Sequence, residues 1–281
     1  MNHIKYEVRY GSHPNDAKQY DTERLRKEFL VEKIFEPEMI TMVYSDYDRI
    51  IVGGANPVKS ALSLEAIDPL KADYFLERRE IGLINVGGKA SISVDDKNYE
   101  LDYKEALYIG RGVKKVVISS VDASKPAKLY FNSAPAHKAF PTKKVTLDDA
   151  IVAEMGDLNS SNARRINKLI VNGVVDTCQL QMGMTEFKEG SVWNTMPAHT
   201  HGRRMEAYFY FEVQEGQAVC HFMGEPTQTR HIFMHNEQAV ISPTWSIHSG
   251  AGTAKYAFIW GMGGENLDYG DMDTHKPSDL R

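Results

Sequence analysis

Met196-Pro197-Ala198-His199-Thr200-His201-Gly202-Arg203-Arg204-Met205-Glu206-Ala207-Tyr208-Phe209-Tyr210-Phe211-Glu212-Val213 is the stretch that decides the architecture. In an extended chain, side chains two apart share a face, so His199 and His201 point the same way. Gly202-Arg203-Arg204 reads as a turn, after which a run of aromatic β-formers returns as a strand with Glu206 near its start. Such a hairpin sets a carboxylate beside two imidazoles. A third imidazole, His248, lies in Ile241-Ser242-Pro243-Thr244-Trp245-Ser246-Ile247-His248-Ser249-Gly250, an apolar run closed by turn residues that meets the hairpin only through tertiary structure. Three imidazoles and one carboxylate suit a first-row divalent ion such as zinc, manganese, iron, cobalt or nickel, and ligand type alone does not choose among them. With four protein ligands, chemistry at the ion requires substrate or water as a further ligand.

Outward from this stretch the texture is the same. From Thr41 onward short β-rich segments alternate with turn signals, among them Gly53-Gly54, Gly87-Gly88, Asp95-Asp96 and Gly216. That spacing predicts a mainly β protein built as jelly-roll barrels or sandwiches. A few helices interrupt it. Apolar residues at helical spacing predict one over Thr22–Val31, capped by Asp21 or Thr22, and a second helical patch over Thr146–Ala153 follows Pro135 and Pro141. This patch divides the chain into two halves, 1–145 and 146–281. Leu107-Tyr108-Ile109-Gly110-Arg111-Gly112 is similar to Ala239-Val240-Ile241-Ser242-Pro243-Thr244, and a gapless alignment on this pair sets Val116 opposite His248. The first half has no His-x-His, so as a repeat of the second it would lack the metal site.

Composition bounds the rest. The 281 residues are 42% hydrophobic and 25% charged, a soluble globular balance. Thirty-three basic against 38 acidic residues leave a net charge of −5, which argues against nucleic acid or an anionic membrane as partner. No apolar run approaches the roughly 20 residues of a membrane span, and Met1-Asn2-His3-Ile4-Lys5-Tyr6-Glu7-Val8 has no signal-peptide core. A cytoplasmic location is the expectation. Cys178 and Cys220 lie in apolar runs and read as free thiols.

His199-x-His201-x4-Glu206 together with Pro243-x4-His248 resembles the paired metal motifs of the cupins, which form double-sheet jelly rolls. The loops depart from that pattern, with longer spacings from Gly190 to His199 and from Glu206 to Gly216, and with Trp245 at a customary glycine. Asn194-Thr195-Met196-Pro197, Arg203-Arg204-Met205-Glu206, Thr229-Arg230-His231, Met234–Pro243, Trp245–Gly250 and Phe258-Ile259-Trp260-Gly261-Met262 resemble, more narrowly, the 5-keto-4-deoxyuronate isomerases. The likeness runs through most of 160–281 and extends more loosely to the N-terminus. It implies two cupin-like halves and an aldose–ketose isomerase that converts 5-keto-4-deoxyuronate to 3-deoxy-D-glycero-2,5-hexodiulosonate in pectin breakdown. It also implies one zinc per subunit on His199, His201, Glu206 and His248, and a homo-oligomer, a hexamer.

Aldose–ketose chemistry asks for a group that moves a proton between neighbouring oxygens and for a cation facing the substrate carboxylate. Tyr208 and Tyr210 share the face of Glu206 and are candidates for the first role, with packed core aromatics as the alternative. Arg164, Arg204, Arg203, Lys168 and Arg230 are candidates for the second, with Arg164 and Arg204 ranked first. His231 and His235 read as structural. Two rivals share the same residues: an iron-dependent cupin dioxygenase, and a sugar-acid-binding cupin without catalysis.

Overall fold

The computed structural model describes residues 3–265 and 270–281. Among them, two compact units form, and the chain passes between the units more than once. One holds Met1–Arg9, Lys33–Ile151 and Leu169–Met182; the other holds Tyr10–Glu32, Val152–Lys168 and Gly183–Arg281. The sequence division at 145/146 lies near the passage at Ile151, but residues 10–32 and 169–182 each belong to the other unit from the one a single cut would give them.

Each unit is a sandwich of a seven-stranded and a four-stranded sheet rather than a closed barrel. In the first unit the large sheet runs in the order Ile4–Arg9, Met39–Ser45, Ile51–Asn56, Leu129–Pro135, Arg79–Asn85, Ala106–Ile109, Lys143–Val145. Its smaller partner contains Leu62–Ser63, Val116–Ser120, Ala90–Val94 and Lys97–Leu101. Ile51, Ile81, Leu83, Leu107, Ile109, Ile92, Ile118 and Phe131 fill the space between them, the alternation expected when one face of each strand is buried.

The second unit repeats this plan. Its large sheet has the order Ile151–Met155, Arg164–Ile170, Gln181–Phe187, Ala257–Gly264, Arg204–Phe211, Gln238–Ser242, Leu30–Val31. The small one has Trp193–Asn194, Ser249–Gly252, Val219–Glu225 and Gln228–Met234. Ala106–Ile109 and Gln238–Ser242 hold equivalent places, each sixth of the seven strands of its sheet. Val116 lies opposite Val94 at the end of its hairpin, whereas Ser249, just after His248, lies opposite Phe222, three residues before the hairpin end at Glu225, so the strand registers do not keep the gapless alignment of Val116 with His248.

Helix Thr22–Phe29 starts as expected, with the Asp21 carboxylate accepting from Arg24 N at 2.8 Å, and packs Phe29 edge-on against Trp245. It stops two residues early because Leu30–Val31 pairs with Gln238–Ser242. The helix expected over Thr146–Ala153 is absent. Asp149 accepts from the amide and hydroxyl of Thr146, closing a turn, and the β-branched Ile151-Val152 continue as strand Ile151–Met155. Cys178 and Cys220 are free thiols. No helix of the described residues is long and apolar enough to cross a membrane.

Candidate metal centre

Glu206 enters from the interior strand Arg204–Phe211, all of whose residues are buried. That strand is paired on both sides, Glu206 opposite Ser242 and Met262, so the carboxylate is held from a rigid platform. His201 follows from the turn that leads into this strand. His199 does not form the other arm of a hairpin with it, as the sequence pattern suggested. It lies on the short strand His199–Thr200, which pairs instead with Asp273–Thr274. His275 N donates to Ala198 O at 2.8 Å, and Thr200 Oγ1 lies 3.0 Å from His275 Nε2, fastening the same segment. His248 arrives from the small sheet, just before Ser249–Gly252.

The four side chains converge, with their donor atoms all within 4.8 Å of one another. Glu206 Oε2 stands 3.0 Å from His201 Nε2 and 2.9 Å from His248 Nε2, and the Nε2 atoms of His248 and His199 are 2.9 Å apart. Neighbouring donors about 2.1 Å from a common ion and at right angles to each other would be about 3 Å apart, as these three pairs are. Charge makes the same demand. His201 Nδ1 faces the Arg204 carbonyl at 3.0 Å, so it carries the hydrogen and directs Nε2 inward. With neutral imidazoles, a lone pair would then oppose the carboxylate. Positive charge has to lie among these atoms, as protons or as a cation, and one dication replaces two protons without adding a second imidazolium to a buried site. Burial, reinforced by His248, pushes the His199 imidazole down to about 3, leaving it a neutral donor. Burial alone would raise the Glu206 carboxyl, yet His248 and His201 outweigh it and hold it well below the usual range. The residues therefore fit a divalent metal, and among the described residues no other group of three or more His, Cys, Asp or Glu side chains does.

A cavity of about 270 Å³ opens on this cluster, and Arg164, Thr195, His199, Glu206, Tyr208 and Trp260 contribute to its wall. Tyr208 points its hydroxyl at Thr195 Oγ1, 2.9 Å away, with its ring edge-on to His248. Tyr210 shares the parity but not the place. Its ring is fully buried, its hydroxyl lies 2.8 Å from His221 Nδ1, and it does not line the cavity. Gly250 makes room for that hydroxyl, since a Cβ there would meet Tyr210 Oη at 3.0 Å and Asn194 Nδ2 at 2.8 Å.

The five basic candidates separate in the same way. Arg164 and Arg204 line the cavity. Arg204 is buried and paired with Asp271 at 2.8 Å, and the exposed Arg203 meets the same carboxylate at 3.1 Å. Arg164 donates through Nη1 to Asn162 O at 2.9 Å. Lys168 lies farther along the same strand, off the cavity wall. Arg230 binds the Lys18 carbonyl beside Trp245, at a separate recess. His231 and His235 are exposed and outside the cluster. Sequence spacing had not singled out Thr195, Asp271 or His221, because none belongs to a periodic or metal-ligand pattern.

Fold and site together define a cupin-like β-sandwich protein with one candidate metal centre in its second unit. The profile of the KduI/IolB family matches residues 35–277, and the chain belongs to that family. It is 63% identical over 276 residues to the 4-deoxy-L-threo-5-hexosulose-uronate ketol-isomerase of Bacteroides fragilis, covering 98% of this chain and 99% of that one. Its identity to the protein of that name from Yersinia pseudotuberculosis is 57%, over 98% of this chain and 100% of the other. Among solved structures, an IolB-like protein from Salmonella typhimurium LT2 superposes with a TM-score of 0.71 at 15% identity, over 88% of this chain and 96% of its own. That likeness, and a weaker one to the oxalate decarboxylase of Lactobacillus farciminis (TM-score 0.56, 11% identity, 80% and 79% covered), concerns the fold alone.

Proposed function

We propose that this protein is a metal-dependent ketol-isomerase that converts 4-deoxy-L-threo-5-hexosulose uronate to 3-deoxy-D-glycero-2,5-hexodiulosonate. The observation that carries the proposal is the opening of one cavity onto His199, Glu206, Tyr208 and Arg164 in a chain 63% identical to proteins of that name. The reaction moves one hydrogen from C2 to C1 and another from O2 to O1. A divalent ion on His199, His201, Glu206 and His248, which we assign as zinc, would polarise the C1 carbonyl and the adjacent hydroxyl. Tyr208 is the cavity hydroxyl suited to passing the proton between the two oxygens. Arg164 is suited to the carboxylate at the far end of the six-carbon chain, since the Arg204 guanidinium already faces Asp271. Trp260, Met262 and Phe258 supply an apolar wall that keeps water from the reacting carbons.

The wider setting belongs to the same reading: a cytoplasmic homo-oligomer, a hexamer, acting on pectin-derived uronate, with a metal-free first repeat and a metal-bearing second one. Proton NMR of the protein with 5-keto-4-deoxyuronate in D2O, with and without prior chelation, tests it. The expected result is chelator-sensitive formation of the 2,5-diketo acid with deuterium at C1. No conversion by metal-loaded protein would overturn the isomerase. Oxygen uptake with Fe(II) would then point to a dioxygenase, and saturable binding without product to a sugar-acid-binding protein.

A further inference from the structure

Thr195 has φ +48°, in the left-handed region that β-branched residues avoid. Glycine or asparagine would occupy it with less strain, so the reason for a threonine lies in its side chain. That side chain has a definite partner: Oγ1 is 2.9 Å from the Tyr208 hydroxyl, and both residues line the cavity that reaches His199 and Glu206. The backbone before it is fixed. Asn194 pairs with Gly250, its carbonyl accepts from Ser249 Oγ at 2.9 Å, and its Nδ2 donates to Tyr256 Oη at 2.6 Å. The Tyr208 ring is fixed as well, edge-on to His248 with centroids 5.4 Å apart and against Phe258 at 4.7 Å. With both frames held, the remaining freedom is rotation of the two hydroxyl hydrogens.

Either oxygen of this pair can donate to the other. When Thr195 donates, the Tyr208 O–H is released toward the cavity as a donor. When Tyr208 donates, its oxygen presents a lone pair to the cavity as an acceptor. Moving a proton between neighbouring substrate oxygens needs both states in one turnover.

We propose that Thr195 is a positioning residue for the isomerisation, switching the Tyr208 hydroxyl between acceptor and donor. Tyr208 Oη passes its own hydrogen to O1, with Thr195 donating to the oxygen it leaves, and regains a hydrogen from the C2 hydroxyl, so that it never carries two. The phenol ends as it began, one O–H bond has broken at O2 and one has formed at O1, and Thr195 changes orientation but not protonation. This inference rests on the isomerase reading.

The test uses metal-loaded wild type, Thr195→Val, Thr195→Ser, Thr195→Gly and Tyr208→Phe. Valine keeps the branched shape and loses the hydroxyl; its kcat is expected to fall by about 10-fold or more, with KM within roughly twofold, short of the upper range for removing an acid–base group outright. Serine is expected to stay within about threefold of wild type, as a retained hydroxyl should. Glycine relieves the backbone, so its melting temperature is expected to rise while its kcat falls with that of valine, a split that a purely structural threonine would not produce. Wild-type turnover on valine, or serine as impaired as valine, would overturn the positioning role and leave the isomerase standing. An inactive wild type would overturn both.

Discussion

Arg204 and Asp271 form a buried ion pair, Nη2 to Oδ1 at 2.8 Å, with the arginine side chain 1% exposed. The same residue orients the metal centre through its backbone, since the Arg204 carbonyl accepts from His201 Nδ1. One residue thus ties the Asp271 segment to the tautomer of a candidate ligand. Asp271→Ala removes the carboxylate that faces a buried guanidinium, a loss of up to about 3–5 kcal/mol. The second contact, from exposed Arg203, adds little. Urea unfolding should show a clear fall in midpoint, together with weaker binding of Zn(II). A midpoint equal to wild type would mean that the pair contributes nothing.

Acid should unfold the protein through its buried histidines. Burial first, then the charge of His248, pushes His199 and His221 down to about 3 in the folded chain. The unfolded value is near 6.5, so between about 6.5 and about 3 the unfolded chain binds more protons and stability falls as pH falls. Each histidine contributes a slope of up to about 1.4 kcal/mol per pH unit in that window. Glu206, held low in the fold, acts in the same direction, its contribution being present above the unfolded carboxylate value and lost toward lower pH. Chelated protein should therefore lose stability steeply between pH 6.5 and 4, and His221→Phe should flatten the curve. A flat wild-type profile there would contradict the buried neutral state.

For the substrate carboxylate, Arg164→Ala should raise KM by about 10- to 100-fold, the range for losing a hydrogen bond to a charged group, with kcat much less affected. Lysine should recover only part, because it lacks the planar fork. Steady-state kinetics on the uronate decides it. A KM that does not move would shift the role to another group of the wall.

How far the sequence carried depends on whether the information was local. His199, His201 and Glu206 lie within one short stretch, so residue type and spacing were enough to pick them out together, although the hairpin that period-two alternation predicted for them does not form. His248 could be placed because its run ends in turn residues and resembles a known motif. The Thr146–Ala153 helix failed because Asp149 satisfies the Thr146 backbone locally, a competition that periodicity does not register. Pairing of His199–Thr200 with Asp273–Thr274 was invisible for a different reason, since two-residue strands carry no pattern of their own. Tyr208 and Tyr210 have the same parity, and only tertiary packing puts one on the cavity and the other against His221.

Glu80 is the buried anchor of the first unit, and nothing in its sequence surroundings announces it. Its Oε1 accepts from Gln179 N at 2.7 Å and Leu180 N at 2.9 Å, and its Oε2 from Cys178 N at 2.8 Å and the Tyr108 hydroxyl at 2.7 Å. Four donors on one carboxylate hold residues 178–180 against the strand Arg79–Asn85. Glu80→Gln turns one oxygen into an NH2 group. Tyr108 can rotate its hydroxyl to accept from it, so one backbone donor is left unsatisfied, at about 1–3 kcal/mol. Glu80→Ala abandons all four and should cost more, whereas Tyr108→Phe removes one donor and leaves three, at about 1 kcal/mol. Urea midpoints should fall in the order Tyr108→Phe, Glu80→Gln, Glu80→Ala, from mildest to most severe. Equal midpoints for Glu80→Ala and Tyr108→Phe would show that the three backbone contacts carry no weight and that the phenol alone accounts for the buried carboxylate.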